Sequence, residues 1–255
     1  MSDPPHVAEN RRRWNATADE YQDHHAAQIT EQMRTGDLAW GVWGIPESQL
    51  QVLGEVAGKD VLELGCGGAQ WSIALARLGA RAVGLDLSDS QLRHARRLTA
   101  ETGLDVRLVQ ASAEQVPFAD GSFDVVFADH GAFSFADPYR TVPESARVLR
   151  AGGLLAFNRS SPIVDIAWAM DDGHAGDRLV HDYFGLHRLD TPEGMAEFNL
   201  PYGEWIRLFT DNGLLVESLI EPRPGPDATS TYRDEVDRAW SRRWPAESLW
   251  RCRKR

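Results

Sequence analysis

The sequence predicts an α/β fold, a three-layer sandwich around a mostly parallel sheet of seven strands, and three observations carry that prediction. From Lys59 onward, short apolar runs alternate with longer helical ones, the pattern of parallel strands joined by crossover helices. Start and stop signals fall where this pattern needs them, with Ser88 ahead of one helical stretch and Gly213 behind another. Finally, 255 residues, 42% of them hydrophobic and 25% charged, can close one sizeable core.

Taken in order, residues 10–28 set Trp14, Ala18 and Tyr21 on one side of an amphipathic helix. Residues 40–46 hold two glycines and a proline, which predicts a loop that exposes Trp40 and Trp43 to its surroundings. Residues 61–64 read as a buried strand, 65–68 as a turn, 70–78 as a helix and 81–85 as a second strand that ends at Asp86. A helix over 88–99 follows, then strands at 106–109 and 123–128, a helix over 139–149 closed by Gly152 and Gly153, and a fifth strand at 154–157. Residues 160–200 break the alternation and read as an insertion over one end of the sheet. A helix over 201–212, a strand at 214–220, a helix over 232–243 and a last strand at 248–252 complete the sheet, the last strand as an antiparallel hairpin with its neighbour.

Composition narrows the functional classes. The net charge is −11 and the pI is near 5.2, which opposes a role driven by phosphate neutralisation, so nucleic acid is not the expected partner. No apolar run approaches the ~20 residues that span a bilayer, and the first residues lack the basic and apolar regions of a secretory signal, so a cytoplasmic protein without a membrane partner is expected. Cys66 and Cys252 are too few for a disulfide framework, and no Cys or His cluster has zinc spacing. Asp171 and Asp172 are adjacent, point different ways on a helix and read as solvated, so no metal is expected. Arg251, Arg253, Lys254 and Arg255 read as a solvated end.

Chemistry enters at Glu63-Leu64-Gly65-Cys66-Gly67-Gly68, a glycine turn between strand and helix where backbone can approach a bound nucleotide-like ligand. Asp86 follows Gly65 by 21 positions at the tip of the next strand, where a carboxylate accepts both hydroxyls of a ribose. A dinucleotide fingerprint beginning at Gly65 needs glycine or alanine at position 70, and Gln70 stands there. A nicotinamide-dependent oxidoreductase is therefore the weaker reading.

The runs 61–68, 84–88, 113–124 and 147–153 together resemble class I, Rossmann-like S-adenosylmethionine-dependent methyltransferases of the ubiquinone-methyltransferase-like (methyltransferase type 11) group, over roughly residues 14–157. Ala69 departs from that pattern, since many members carry a further glycine there. The resemblance implies S-adenosylmethionine as cofactor and a small organic acceptor methylated at oxygen, nitrogen or carbon, and the length of 255 residues predicts one domain. Within it, 1–50 is a helical flank, 51–159 the cofactor-binding core, 160–200 a lid that forms the acceptor pocket, and 201–255 the completion of the sheet. The resemblance further implies that Gly65, Cys66 and Gly67 pass under the methionine portion, Asp86 holds the ribose, Leu87 lies beside the adenine, Ala113 and Glu114 meet the adenine edge, and the backbone around Asp129 and His130 holds the amino end.

Several residues stay open between two readings. Glu63 either orients the amino group through water or caps the glycine turn, and Tyr21 either touches the cofactor or packs, as does Trp14. His130, after the fourth strand at the carboxyl edge of the sheet, is the candidate general base, with local anchoring as its competitor. His24, His25, His174 and His181 have no spacing that ties them to a site. A protein that binds the cofactor without transferring its methyl group is the non-enzymatic alternative.

Overall fold

The computed structural model describes residues 3–35, 38–169, 173–192 and 194–255, the side chains of 27–35 excepted. Seven strands form the central sheet: β1 Asp60–Leu64, β2 Arg81–Asp86, β3 Arg107–Gln110, β4 Phe123–Asp129, β5 Leu149–Ser160, β6 Leu214–Ile220 and β7 Glu247–Lys254. Their spatial order is β3-β2-β1-β4-β5-β7-β6, and β7 alone runs antiparallel to its neighbours. The chain winds one way from β1 and the other way from β4, which opens a crevice between their carboxyl ends.

Nine helices are described: α1 Pro5–Thr35, α2 Glu47–Leu50, α3 Gln70–Arg77, α4 Asp89–Thr102, α5 Gly131–Phe135, α6 Pro138–Val148, α7 Pro162–Ala167, α8 Tyr202–Asp211 and α9 Glu235–Ser241. Local chemistry sets their ends. The Ser88 hydroxyl accepts from the Gln91 amide to start α4, and Gly103 at φ 65 stops it. Asp137, Ser161 and Asp234 cap α6, α7 and α9 in the same manner.

The central strands β1, β4 and β5 are buried on both faces, and their residues alternate between two cores. Leu62, Leu64, Val126, Leu155, Phe157 and Trp250 meet Val142 and Ala146 of α6 and Trp205 and Phe209 of α8. Val61, Val125, Phe127, Leu154, Ala156 and Leu249 meet Trp71 and Leu75 of α3 together with Trp40.

Five expectations need correction. Trp40 and Trp43 are buried instead of exposed: a two-residue hairpin, Ala39–Trp40 with Ile45–Pro46, folds them inward, and Trp40 lies 4.6 Å from Trp71 while its indole N–H donates to Glu47. Gly152 and Gly153 do not close α6, because Leu149 already pairs with Phe123; the glycines sit within β5, where the register with β4 shifts. The first helix reaches from Pro5 to Thr35, well beyond residues 10–28 at both ends, and the helix expected over 232–243 is confined to Glu235–Ser241, because Asp234 caps it. The cationic end of the chain is not free: Arg251 and Arg253 pair with Glu217, and the Lys254 ammonium donates to the Leu149 carbonyl.

Candidate active site

The turn after β1 and the turn after β4 touch backbone to backbone. Gly65 has φ 76, and a Cβ there would run into the backbone nitrogen of Ala132; one on Gly131, at φ 41, would stand 2.6 Å from the Leu64 carbonyl oxygen. Gly67 also has a positive φ of 52, but a Cβ there meets nothing closer than 3.7 Å. Gly65→Ala is therefore expected to destabilise the ligand-free protein by about 2–5 kcal/mol, from left-handed backbone plus overpacking, and Gly67→Ala by about 1 kcal/mol. Denaturant unfolding of the two variants checks the contrast. At Ala69 the backbone matters more than the extra methyl group, because its φ of 60 is a conformation glycine takes freely and alanine does not.

Three carboxylates gather around this crevice. Both oxygens of Asp86 accept backbone amides, from Gly67 and Ser88 at 2.8 Å each, which fixes the carboxylate and leaves lone pairs for a ligand. Burial raises its pKa to about 6. One oxygen of Glu63 accepts from the amide and hydroxyl of Ser72 at 3.0 and 2.6 Å, so Glu63 caps the start of α3 while also lining the cavity. Burial pushes it up to about 8. Asp129 accepts the Gly41 amide at 3.0 Å and the Asn158 side chain at 3.1 Å; burial, with the charge of Glu247, raises it to about 6.

His130 has φ 55 and ψ −89, a conformation a non-glycine residue holds only when its surroundings dictate it. Its amide donates to the Asn158 carbonyl, and its Nε2 lies 2.7 Å from Glu247 Oε1. That oxygen also accepts from Asn158 Nδ2 at 2.7 Å and the Val42 amide at 3.1 Å. Burial works against the charge of Glu247, but His130 and Asn158 outweigh it and hold its carboxyl below the usual range. An ionised Glu247 only accepts, so Nε2 carries the proton and Nδ1 is the open nitrogen. Burial also works against a charged His130, yet Glu247 and Asp129 hold its pKa above 6.5. Gly41 makes room for this arrangement, since a Cβ there would lie 2.5 Å from Glu247 Oε1.

The roof is α1. Asn10, fully buried, bridges the Phe135 and Ala196 carbonyls and accepts the Ala196 amide. Asn15 meets Ser88 and Ser90, and Gln22 meets Gln91 and Gln70. Gln70, where a dinucleotide turn needs a small residue, thus fastens the roof to the glycine turn.

One cavity of about 380 Å³ results, and Tyr21, Glu63, Gly65, Cys66, Gly67, Asp86, Leu87, Ala113, Glu114, Asp129 and His130 all line it. Trp14 and Tyr21 line it and also pack edge to face with each other. Glu114 turns one oxygen to His6 of α1 and to the Asp137 amide. The other histidines lie elsewhere. His24 and His25 bond to Thr231, and burial lowers the pKa of His25 to about 4. His181 bonds to the Trp168 carbonyl, and His174 lies between Asp234 and Asp237 at 3.7 and 3.1 Å. These last three gather within 4.8 Å, but the two contacts use different ring nitrogens and Asp234 is already the cap of α9, which describes an ion-pair cluster. Asp171 and Asp172 lie outside the described residues.

Residues 62–157 match the family described as a methyltransferase domain. The ubiquinone biosynthesis O-methyltransferase of Thiobacillus denitrificans is 31% identical over 215 residues, which cover 76% of this chain and 87% of that protein. The chain belongs to the S-adenosylmethionine-dependent methyltransferases. The demethylmenaquinone methyltransferase of Thermus thermophilus is 39% identical over 110 residues, half of its own length. An S-adenosylmethionine-dependent methyltransferase from Mesorhizobium loti shares the fold of this methyltransferase, with a TM-score of 0.66 and 24% identity over 81% of this chain and 96% of that one.

The cofactor of this methyltransferase is S-adenosylmethionine, and the crevice suits it: a glycine turn for close approach, a fixed carboxylate with spare lone pairs at Asp86, and acids whose raised pKa values a cationic ligand would relieve. Asn10, Gln22, Tyr232 and Arg233, which also line the cavity, and Asn158 and Glu247, which hold Asp129 and His130, were not legible in the sequence. The one local signal was Glu247, an acid opening an apolar strand.

Proposed function

We propose that this methyltransferase acts on a hydroxyl group of a small organic acceptor, with His130 as general base. One observation carries the reading: His130 lines both the cofactor cavity and a second cavity of about 320 Å³, its Nε2 held by Glu247 and its Nδ1 without a bond among the described residues. The name of the Thiobacillus relative, an O-methyltransferase, supports oxygen as the acceptor atom, and the net charge of −11 supports a small molecule over a polyanion.

S-adenosylmethionine, when bound, supplies a methyl group on a positively charged sulfur, which takes back the bonding pair as a neutral thioether. Asp86 would hold the ribose hydroxyls, Leu87, Ala113 and Glu114 the adenine side, and Gly65, Cys66 and Gly67 the methionine portion, with Asp129 toward the amino end and Tyr21 closing over it. His130 accepts the acceptor's proton on Nδ1, and Glu247 steadies the imidazolium that results, an effect typically worth ~10²–10⁴-fold for a positioned base.

Calorimetric titration with S-adenosylmethionine, S-adenosylhomocysteine and NAD tests the binding half. Tight binding of the first two and none of NAD is expected, and binding of NAD alone would sink the reading.

A pH dependence follows. In the ligand-free protein Glu63, Asp86 and Asp129, raised by burial to about 8, 6 and 6, are partly protonated near neutrality. A cation set among them favours their charged forms, so binding releases protons and affinity rises with pH across this range. S-adenosylhomocysteine, without the sulfonium charge, should release fewer. Calorimetry in two buffers of different ionisation enthalpy measures the count, and equal release for both compounds would contradict the argument.

A further inference from the structure

The second cavity meets the first at Val42, His130, Ser160, Glu197 and Arg233, which line both. Trp43, Trp168 and Trp240 give it aromatic walls, and four carboxylates line it. Three of these carboxylates have strong partners. Glu247 has His130 and Asn158; Asp165 has Asn199 at 2.5 Å and Arg159 at 3.4 Å; Asp237 has His174 at 3.1 Å.

Arg233 has none. Its guanidinium lies 4.9 Å over the Trp168 ring, makes no ion pair among the described residues, and reaches only its neighbour's carbonyl, at 3.5 Å. Half-buried, it cannot shed its charge, because a guanidinium stays protonated in proteins. An anion is the partner that such a group lacks. Glu197, the fourth carboxylate, has another outlet: burial raises its pKa, so it can take up a proton. Trp43 adds a second unmet donor, since its buried indole N–H has no acceptor among the described residues. Stacking on Trp168 restrains the guanidinium, and Arg233 lines both cavities, so it stands at their junction. Trp168 and Asp165 line the second cavity and not the first, which sets Arg233 toward the acceptor.

We propose that the second cavity takes a planar organic acid bearing a hydroxyl group, its carboxylate paired with Arg233 and its hydroxyl turned to His130. This rests on the reading of the chain as a hydroxyl methyltransferase. A carboxylate meets the guanidinium fork with two parallel hydrogen bonds, which fixes the acid's plane as well as its charge.

The test is calorimetry on the full chain saturated with S-adenosylhomocysteine. The probes are 3-hydroxybenzoate and 4-hydroxybenzoate, each against the neutral hydroxybenzamide of the same shape. The acids are expected to bind at least about tenfold tighter than the amides, as a charge-assisted pair implies. Arg233→Gln should erase that preference and Arg233→Lys keep part of it, with S-adenosylhomocysteine affinity and thermal midpoint unchanged. If the glutamine variant fails to fold, the lysine variant carries the comparison through a reduced preference. Equal binding of acids and amides, no binding of the acids, or a preference that survives in both variants overturns the proposal. Loss of S-adenosylhomocysteine affinity in Arg233→Gln overturns it too, by putting the guanidinium on the cofactor. Failure of the unaltered protein to bind S-adenosylhomocysteine strikes the underlying reading instead, and removes this one with it.

Discussion

His130→Gln is expected to lower turnover about 10²–10⁴-fold, the usual contribution of a positioned base, while S-adenosylhomocysteine affinity stays unchanged. Glutamine suits the test better than alanine. Its amide can still donate to Glu247, whereas alanine would leave a buried carboxylate without its histidine, a loss of about 3–5 kcal/mol that would confuse stability with catalysis. The pH profile gives a second readout. Only neutral imidazole accepts a proton, and Glu247 and Asp129 hold the His130 pKa above 6.5, so the rate should climb with pH through that raised value. Glu247→Gln removes the main raising influence and should move the acidic limb to lower pH. A glutamine variant with an unchanged rate would retire His130 as the base, and an unmoved limb would remove Glu247 as its positioning residue.

Asp86→Ala is expected to weaken S-adenosylhomocysteine binding about 10²-fold, since charge-assisted hydrogen bonds to two ribose hydroxyls are worth roughly 1.5–3 kcal/mol each and part of that is recovered by water. The fold should tolerate the change better than the site does. The raised pKa of Asp86 means its charged form is disfavoured in the ligand-free protein: with a folded pKa of about 6 against an ordinary 3.8, its ionisation lowers stability as pH rises through that window. Removing it takes away this penalty but also leaves the amides of Gly67 and Ser88 without their acceptor. Calorimetry with a parallel thermal melt separates the two effects. Undiminished affinity would mean that the ribose is held elsewhere.

The strand and helix alternation from Lys59 to Phe157 was legible because each element is written in its own few residues: short apolar runs buried on both faces of a parallel sheet, and a serine cap ahead of a helix. The glycine turn and Asp86 were legible for the same reason, being 21 positions apart on consecutive strands of one β-turn-α-β unit. What the sequence by itself determined is therefore the sheet, its crevice and the candidate cofactor-facing residues. Only the tertiary structure decided what surrounds His130. Glu247 stands 117 positions away and reaches it because β7 enters antiparallel beside β5, so the start of β7 lies where β5 ends, with Glu247 opposite Ser160 at the carboxyl edge. Arg233, just before the cap of α9, gains its meaning from Trp168 and from the carboxylates that others have claimed. Trp40 looked exposed because its hairpin is too short to show a period, and its burial depends on Trp71 and Phe127 from distant elements. Spacing along a chain encodes contacts within one turn or one strand pair, whereas a partner a hundred residues away is chosen by which edges of the sheet remain to be covered.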